Sequence, residues 1–119
     1  MAIHEMVLAQ HGGLAGIREE NLLLSALDKP RNRHAYGESD LAVLAASYAA
    51  GIVHNHPFLD GNKRTGFMLA ATFLELNGQT FFASEESVLE KTLAFAADAL
   101  TEDNYAMWLR TNSSRVEES

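Results

Sequence analysis

Residues 56 to 66 read His-Pro-Phe-Leu-Asp-Gly-Asn-Lys-Arg-Thr-Gly, and this run holds most of the chemistry the chain can offer. A neutral imidazole at His56 can accept a proton from a hydroxyl near neutral pH. Asp60 can hold a magnesium ion, which takes only one or two protein carboxylates beside phosphate oxygens. Gly61 can adopt positive φ, so Asp60-Gly61-Asn62 can form an anion-binding nest. Lys63 and Arg64 follow in the first turn of an apolar, helix-patterned stretch. Cations at a helix start oppose its dipole at a cost of up to about 1 kcal/mol, which an anion placed there would offset. The plainer alternatives are a packed loop histidine, an N-capping aspartate and two solvated cations. Phe58 is a core anchor, and His54 is structural or a neighbour that tunes His56. His54, Asn55 and His56 spell a nuclease motif whose residues belong on separated elements, so that match is accidental. A transition-metal site of His54, His56 and Asp60 lacks a further ligand at diagnostic spacing. Together these residues suit the handling of a nucleotide's phosphates.

Helices must position that loop. Residues 2 to 10 predict a helix ended by Gly12-Gly13, and Arg18 to Leu27 a short amphipathic one with Leu23, Leu24 and Leu27, closed before Pro30. Residues 29 to 38 are polar and aperiodic, as a loop would be. Ser39 or Asp40 can cap a helix whose face carries Leu41, Leu44, Tyr48 and Ile52. Its many alanines allow the close packing of a central buried helix, and Pro57 stops it after about His54. A second central helix runs from near Asn62 to Asn77, with Gly78 as its stop. Phe67, Ala70, Phe73, Leu74 and Leu76 supply its buried stripe. Gln79 to Ala83 is a short extended piece. Ser84 caps a helix with Glu85 and Glu86 in its first turn, and Thr101 caps a last helix carrying Tyr105, Trp108 and Leu109. The fold class is therefore all-α: a compact single-domain bundle over residues 1–111, two central helices flanking the loop, and a polar, frayed tail at 112–119.

At 119 residues the chain suits one domain. A net charge of −7 disfavours binding along nucleic acid, so Lys63 and Arg64 form a local positive spot on an acidic background. No apolar run approaches the ~20 residues of a membrane span, and no signal peptide is recognisable. The absence of cysteine suits the reducing cytoplasm.

The string His-Pro-Phe-Leu-Asp-Gly-Asn-Lys-Arg-Thr resembles the signature of the Fic/Doc family, specifically its Doc (death-on-curing) branch. Softer similarity covers most of the chain: Gly12-Gly13-Leu14 to Glu19, Leu22 to Leu27 with Pro30, Phe73 to Gly78, and Trp108-Leu109. The resemblance implies a Fic/Doc-like helical bundle that moves part of ATP, or of another nucleotide, onto a target hydroxyl. It makes His56 the general base and Asp60 the Mg2+ ligand. It gives Gly61, Asn62, Lys63 and Arg64 to the phosphates. It assigns Arg31, Asn32, Arg33, His34, Ala35, Tyr36, Gly37 and Glu38 to a flap that aligns the target segment. Adenylyl-transferring relatives mostly have glycine in place of Lys63 and a second arginine in place of Phe67. Both departures follow the Doc branch, which resembles a kinase phosphorylating a threonine of elongation factor Tu to stop translation. The similarity thus implies a toxin of a toxin–antitoxin system, restrained by a Phd-like antitoxin whose disordered tail folds onto it. Ser114 to Ser119 matches an inhibitory-helix pattern of the family only by coincidence. The chain begins close to Ile3-His4-Glu5, where similar proteins usually have several more residues of first helix. Nucleotidyl transfer (AMPylation) to a protein or small molecule is the alternative reaction, and a catalytically inert partner-binding domain the alternative of another class.

Overall fold

Alanine and glycine decide the centre of the fold, because they let helix backbones approach closely. A computed structural model describes residues 20–55 and 61–115 of the chain. The described elements, in order, are α1 (Glu20–Ala35), α2 (Leu41–Asn55), α3 (Asn62–Leu76), β1 (Gln79–Phe81), α4 (Glu85–Ala96), α5 (Glu102–Thr111) and β2 (Ser113–Arg115). The helix expected at residues 2 to 10 lies outside the described residues. The all-α class holds, with a small two-stranded sheet added.

Helix α2 is the axis of the bundle and packs against α1, α3 and α5. Ala45, Ala46, Ala50 and Ile52 are fully buried, as an alanine-rich central helix requires. One side of α2 joins Leu23 and Leu27 of α1 and Leu69 of α3. The other side joins Leu74, Phe95, Tyr105, Trp108 and Leu109. Burying a leucine such as Leu69 contributes about 2 to 3 kcal/mol. Phe95 and Tyr105 stack with ring centroids 4.3 Å apart, and Phe67, Phe81 and Trp108 form a second aromatic group.

Caps were legible from local chemistry. Ser84 Oγ accepts from the Ser87 amide and Thr101 Oγ1 from the Asn104 amide, each at 3.1 Å. Asp40 begins α2: its Oδ1 accepts from the amides of Ala42 and Val43, while its Oδ2 accepts from Arg110 Nη2 at 2.6 Å. Partial burial pushes the Asp40 carboxyl up, but the Arg110 guanidinium and the two amides outweigh it and lower the pKa. A carboxyl whose folded pKa is depressed stabilises the fold above its ordinary value of 3.8 and loses that contribution as pH falls through the folded value. Asp40→Asn keeps a competent N-cap and removes the charge. The variant is expected to be less stable than wild type in urea at pH 7, with the gap closing below pH 3.8. A gap independent of pH would show that the ion pair contributes nothing.

Three expectations need correction. Helix α1 does not close before Pro30; it continues to Ala35, so residues 29–35 are helical rather than loop. A mid-helix proline costs about 3 kcal/mol through the lost bond to the carbonyl four residues back. Burial of Pro30 and ion pairs from Lys29 and Arg33 to Glu102 offset that cost. The actual stop is Gly37, at φ 104°, where Gly37 N–H donates to His34 C=O and Glu38 N–H to Arg33 C=O, a Schellman ending. Second, Leu76 is 64% exposed, and Leu69 takes the buried place in α3. Third, the start of the tail is not frayed: Ser113–Arg115 pairs antiparallel with Gln79–Phe81, Thr80 opposite Ser114.

Candidate functional site

Gly61 opens α3 in the left-handed conformation, φ 75° and ψ 17°, which an L side chain would resist. The first bond of the helix runs from Thr65 N–H to Gly61 C=O at 2.9 Å. The amides of Asn62, Lys63 and Arg64 therefore precede the helical ladder and lie at the positive end of its dipole. Lys63 and Arg64 are exposed there, and the first turn holds no acid. A left-handed glycine, a helix start and two adjacent cations form a local attractor for an anion.

The packing beneath fixes this turn in place. Thr65 is buried, and a Cβ on Gly66 would meet Val53 Cγ2 at 2.9 Å and Ala49 O at 3.2 Å. Only glycine lets α3 sit this close to the end of α2. Asn55, the last residue of α2, donates from Nδ2 to Leu22 C=O at 3.1 Å, which ties that end to α1. The chain thus enters residues 56–60 from an anchored position and leaves them at Gly61. His56 and Asp60 lie outside the described residues. His54 has a structural setting, with Nε2 3.5 Å from Asp98 Oδ1 and its ring 5.4 Å from that of Phe95.

The sequence did not reveal a groove of about 540 Å³ that begins at Lys63 and Arg64 and continues over Phe67, Phe81, Val88 and Leu93. Those residues come from α3, β1 and α4. The available signal was the Leu89 and Leu93 pair, which is exposed one turn apart on α4. Phe67 is engaged in packing, with ring centroids 5.6 Å from Phe81 and 6.3 Å from Trp108.

The structure does not bring Arg31–Glu38 to Gly61–Arg64. Arg31 and His34 line a cavity with Phe73 and Asn77, at the opposite end of α3. At 1.5 Å per residue, Arg64 and Phe73 are separated along the helix by roughly 14 Å. Arg33 is held by Glu102 at 3.2 Å, and Tyr36 is 92% exposed. Among the described residues no three His, Asp or Glu side chains are grouped where they could hold a metal ion. No helix among them is long and apolar enough to cross a membrane.

The sequence profile of the Fic/DOC family matches residues 1–74, more than half of the chain. The chain belongs to the Fic/DOC family. It is 31% identical over 111 residues to "Protein kinase doc" of Escherichia phage P1, covering 92% of this chain and 87% of that protein. It is 37% identical over 70 residues to "Toxin Doc" of Mycolicibacterium smegmatis, covering 56% of this chain and 53% of that one. In this Fic/DOC chain Gly61, Lys63 and Arg64 fall inside the matched segment, whereas β1, α4 and α5 follow it.

Proposed function

We propose that this Fic/DOC protein is a Doc-like toxin that transfers the γ-phosphate of ATP to a hydroxyl of a target protein. The observation that carries this reading is the left-handed Gly61 opening a helix whose first turn holds Lys63 and Arg64 and no acid. Phosphoryl transfer depends on positioning and charge stabilisation, and a turn of this kind supplies both. The amides at Gly61–Arg64 and the two cations would hold the phosphates. His56 would take the proton as the hydroxyl oxygen bonds to the γ-phosphorus. The bond from that phosphorus to the bridging oxygen breaks, and ADP leaves. Magnesium held through Asp60 would neutralise charge on the phosphate oxygens.

The choice of phosphoryl over adenylyl transfer draws support from Phe67. Adenylyl-transferring relatives place an arginine there, a fork for β- and γ-phosphates. Here the position is committed to an aromatic cluster with Phe81 and Trp108. The relative bearing the printed name of a protein kinase points the same way. The reading extends to a cytoplasmic toxin whose target is a threonine of elongation factor Tu and whose inhibitor is an antitoxin.

Incubating the protein with elongation factor Tu and either γ- or α-labelled ATP tests this. Label retained on the factor from the γ position alone is the expected result. Retention from the α position alone would make the protein a nucleotidyltransferase, and retention from neither would leave a binding domain.

A further inference from the structure

A second cavity, of about 410 Å³, opens at the far end of the bundle, where the C-terminal half of α1 meets the start of α2 and the end of α3. Its size falls within the roughly 300 to 1,000 Å³ of small-molecule sites. One wall is apolar, formed by Pro30, Leu44 and Phe73; the other presents Arg31, His34 and Tyr48. Among the described residues no Asp or Glu lines it, although the chain holds 16 acids against 9 Lys and Arg. This pocket therefore departs in sign from the protein around it.

Its groups are arranged for an anion. Arg31 and His34 stand three residues apart on α1 and share a face. The Arg31 guanidinium is only loosely held, its Nη1 3.9 Å from Asp28 Oδ1. It lines the cavity together with Tyr48, whose buried ring rests against that of Phe73 with centroids 5.1 Å apart. Burial pushes the Tyr48 phenol up in spite of the Arg31 charge, so it keeps a proton to donate. A planar guanidinium beside a phenol suits a carboxylate, which can take two parallel bonds from arginine. Among the described residues one permanent cation, Arg31, faces the space, which matches a monoanion better than a phosphate ester. Pro30 keeps the apolar wall rigid, because its ring leaves φ little freedom.

We infer that this cavity binds a small organic acid, its carboxylate on Arg31 and Tyr48 and its apolar or aromatic body against Pro30, Leu44 and Phe73. The site is separate from the phosphate cradle and does not depend on the reaction performed there.

Benzoate is the probe, with benzyl alcohol as its uncharged counterpart, followed by NMR of the Leu44 methyls and the Phe73 ring. Benzoate is expected to give saturable shifts at both residues, and benzyl alcohol much weaker ones. Arg31→Gln, on a largely exposed side chain, should weaken benzoate at least about tenfold, the scale of a lost charge-assisted hydrogen bond. Tyr48→Phe, which keeps the ring packing, should weaken it by a smaller factor. Lys63→Ala with Arg64→Ala should leave it unchanged. Equal binding to Arg31→Gln, or shifts confined to the Lys63 and Arg64 end of α3, would overturn the assignment.

Discussion

Replacing His56 with alanine is expected to lower the rate of transfer by roughly 10²- to 10⁴-fold, the range for removal of a positioned general base. The size of that effect follows from where the barrier lies. In the proposed reaction the phosphates would rest on Gly61–Arg64, so the nucleotide would stay bound whether or not a base is present. The attacking hydroxyl, however, must lose its proton as it bonds to phosphorus. His56 stands five residues before Gly61 and follows directly on the anchored end of α2, so it is the imidazole nearest in sequence to the cradle. The loss should appear in kcat, with nucleotide affinity measured by calorimetry nearly unchanged. An unaltered rate in a folded His56→Ala protein would remove the histidine from the mechanism.

Replacing Gly51 with alanine should destabilise the fold by about 3 kcal/mol, the upper part of the overpacking range. The sign is the informative part, since an exposed glycine-to-alanine change in mid-helix normally stabilises by about 1 kcal/mol. At Gly51 a Cβ would stand 2.7 Å from Ala26 O and 2.9 Å from Ala26 Cα. These are backbone atoms of α1, so no side-chain rotation relieves them and the helices must separate. Ala26 is also the residue whose carbonyl Pro30, four positions later, cannot serve as a helical donor. The proline and the glycine thus occupy matching places on two helices, one freeing a carbonyl and the other admitting it. Urea unfolding of Gly51→Ala measures the cost; a variant as stable as wild type would show that α1 and α2 adjust freely.

Much of the bundle could be read from local chemistry. Ser84 and Thr101 announced helix starts, Asp60-Gly61-Asn62 announced the beginning of α3, and the alanines of Leu41–Asn55 announced a central helix. The failures share a physical cause. Pro30 is a strong local stop, but burial of α1 against α2 overrode it, and the Gly37 signal about two turns later was the one obeyed. Strand β2 consists of Ser113–Arg115, without apolar alternation, and exists only because β1, more than 30 residues earlier, offers an edge. The Lys63 and Arg64 groove and the Arg31 and Tyr48 cavity each combine three elements, so no stretch of sequence spells either one. The distance of residues 31–38 from the nest was equally hidden, since it depends on how α1 crosses α2.

The chain contains one tryptophan, Trp108, 8% exposed and 5.4 Å by ring centroid from Phe81, which lines the groove beside Lys63 and Arg64. Its indole N–H donates to Ser87 Oγ at 3.0 Å, on the helix forming the groove's far bank. This lone indole is a built-in fluorophore, shielded from water and coupled to both banks. Its emission colour and intensity can therefore follow occupancy of that groove in the unlabelled protein.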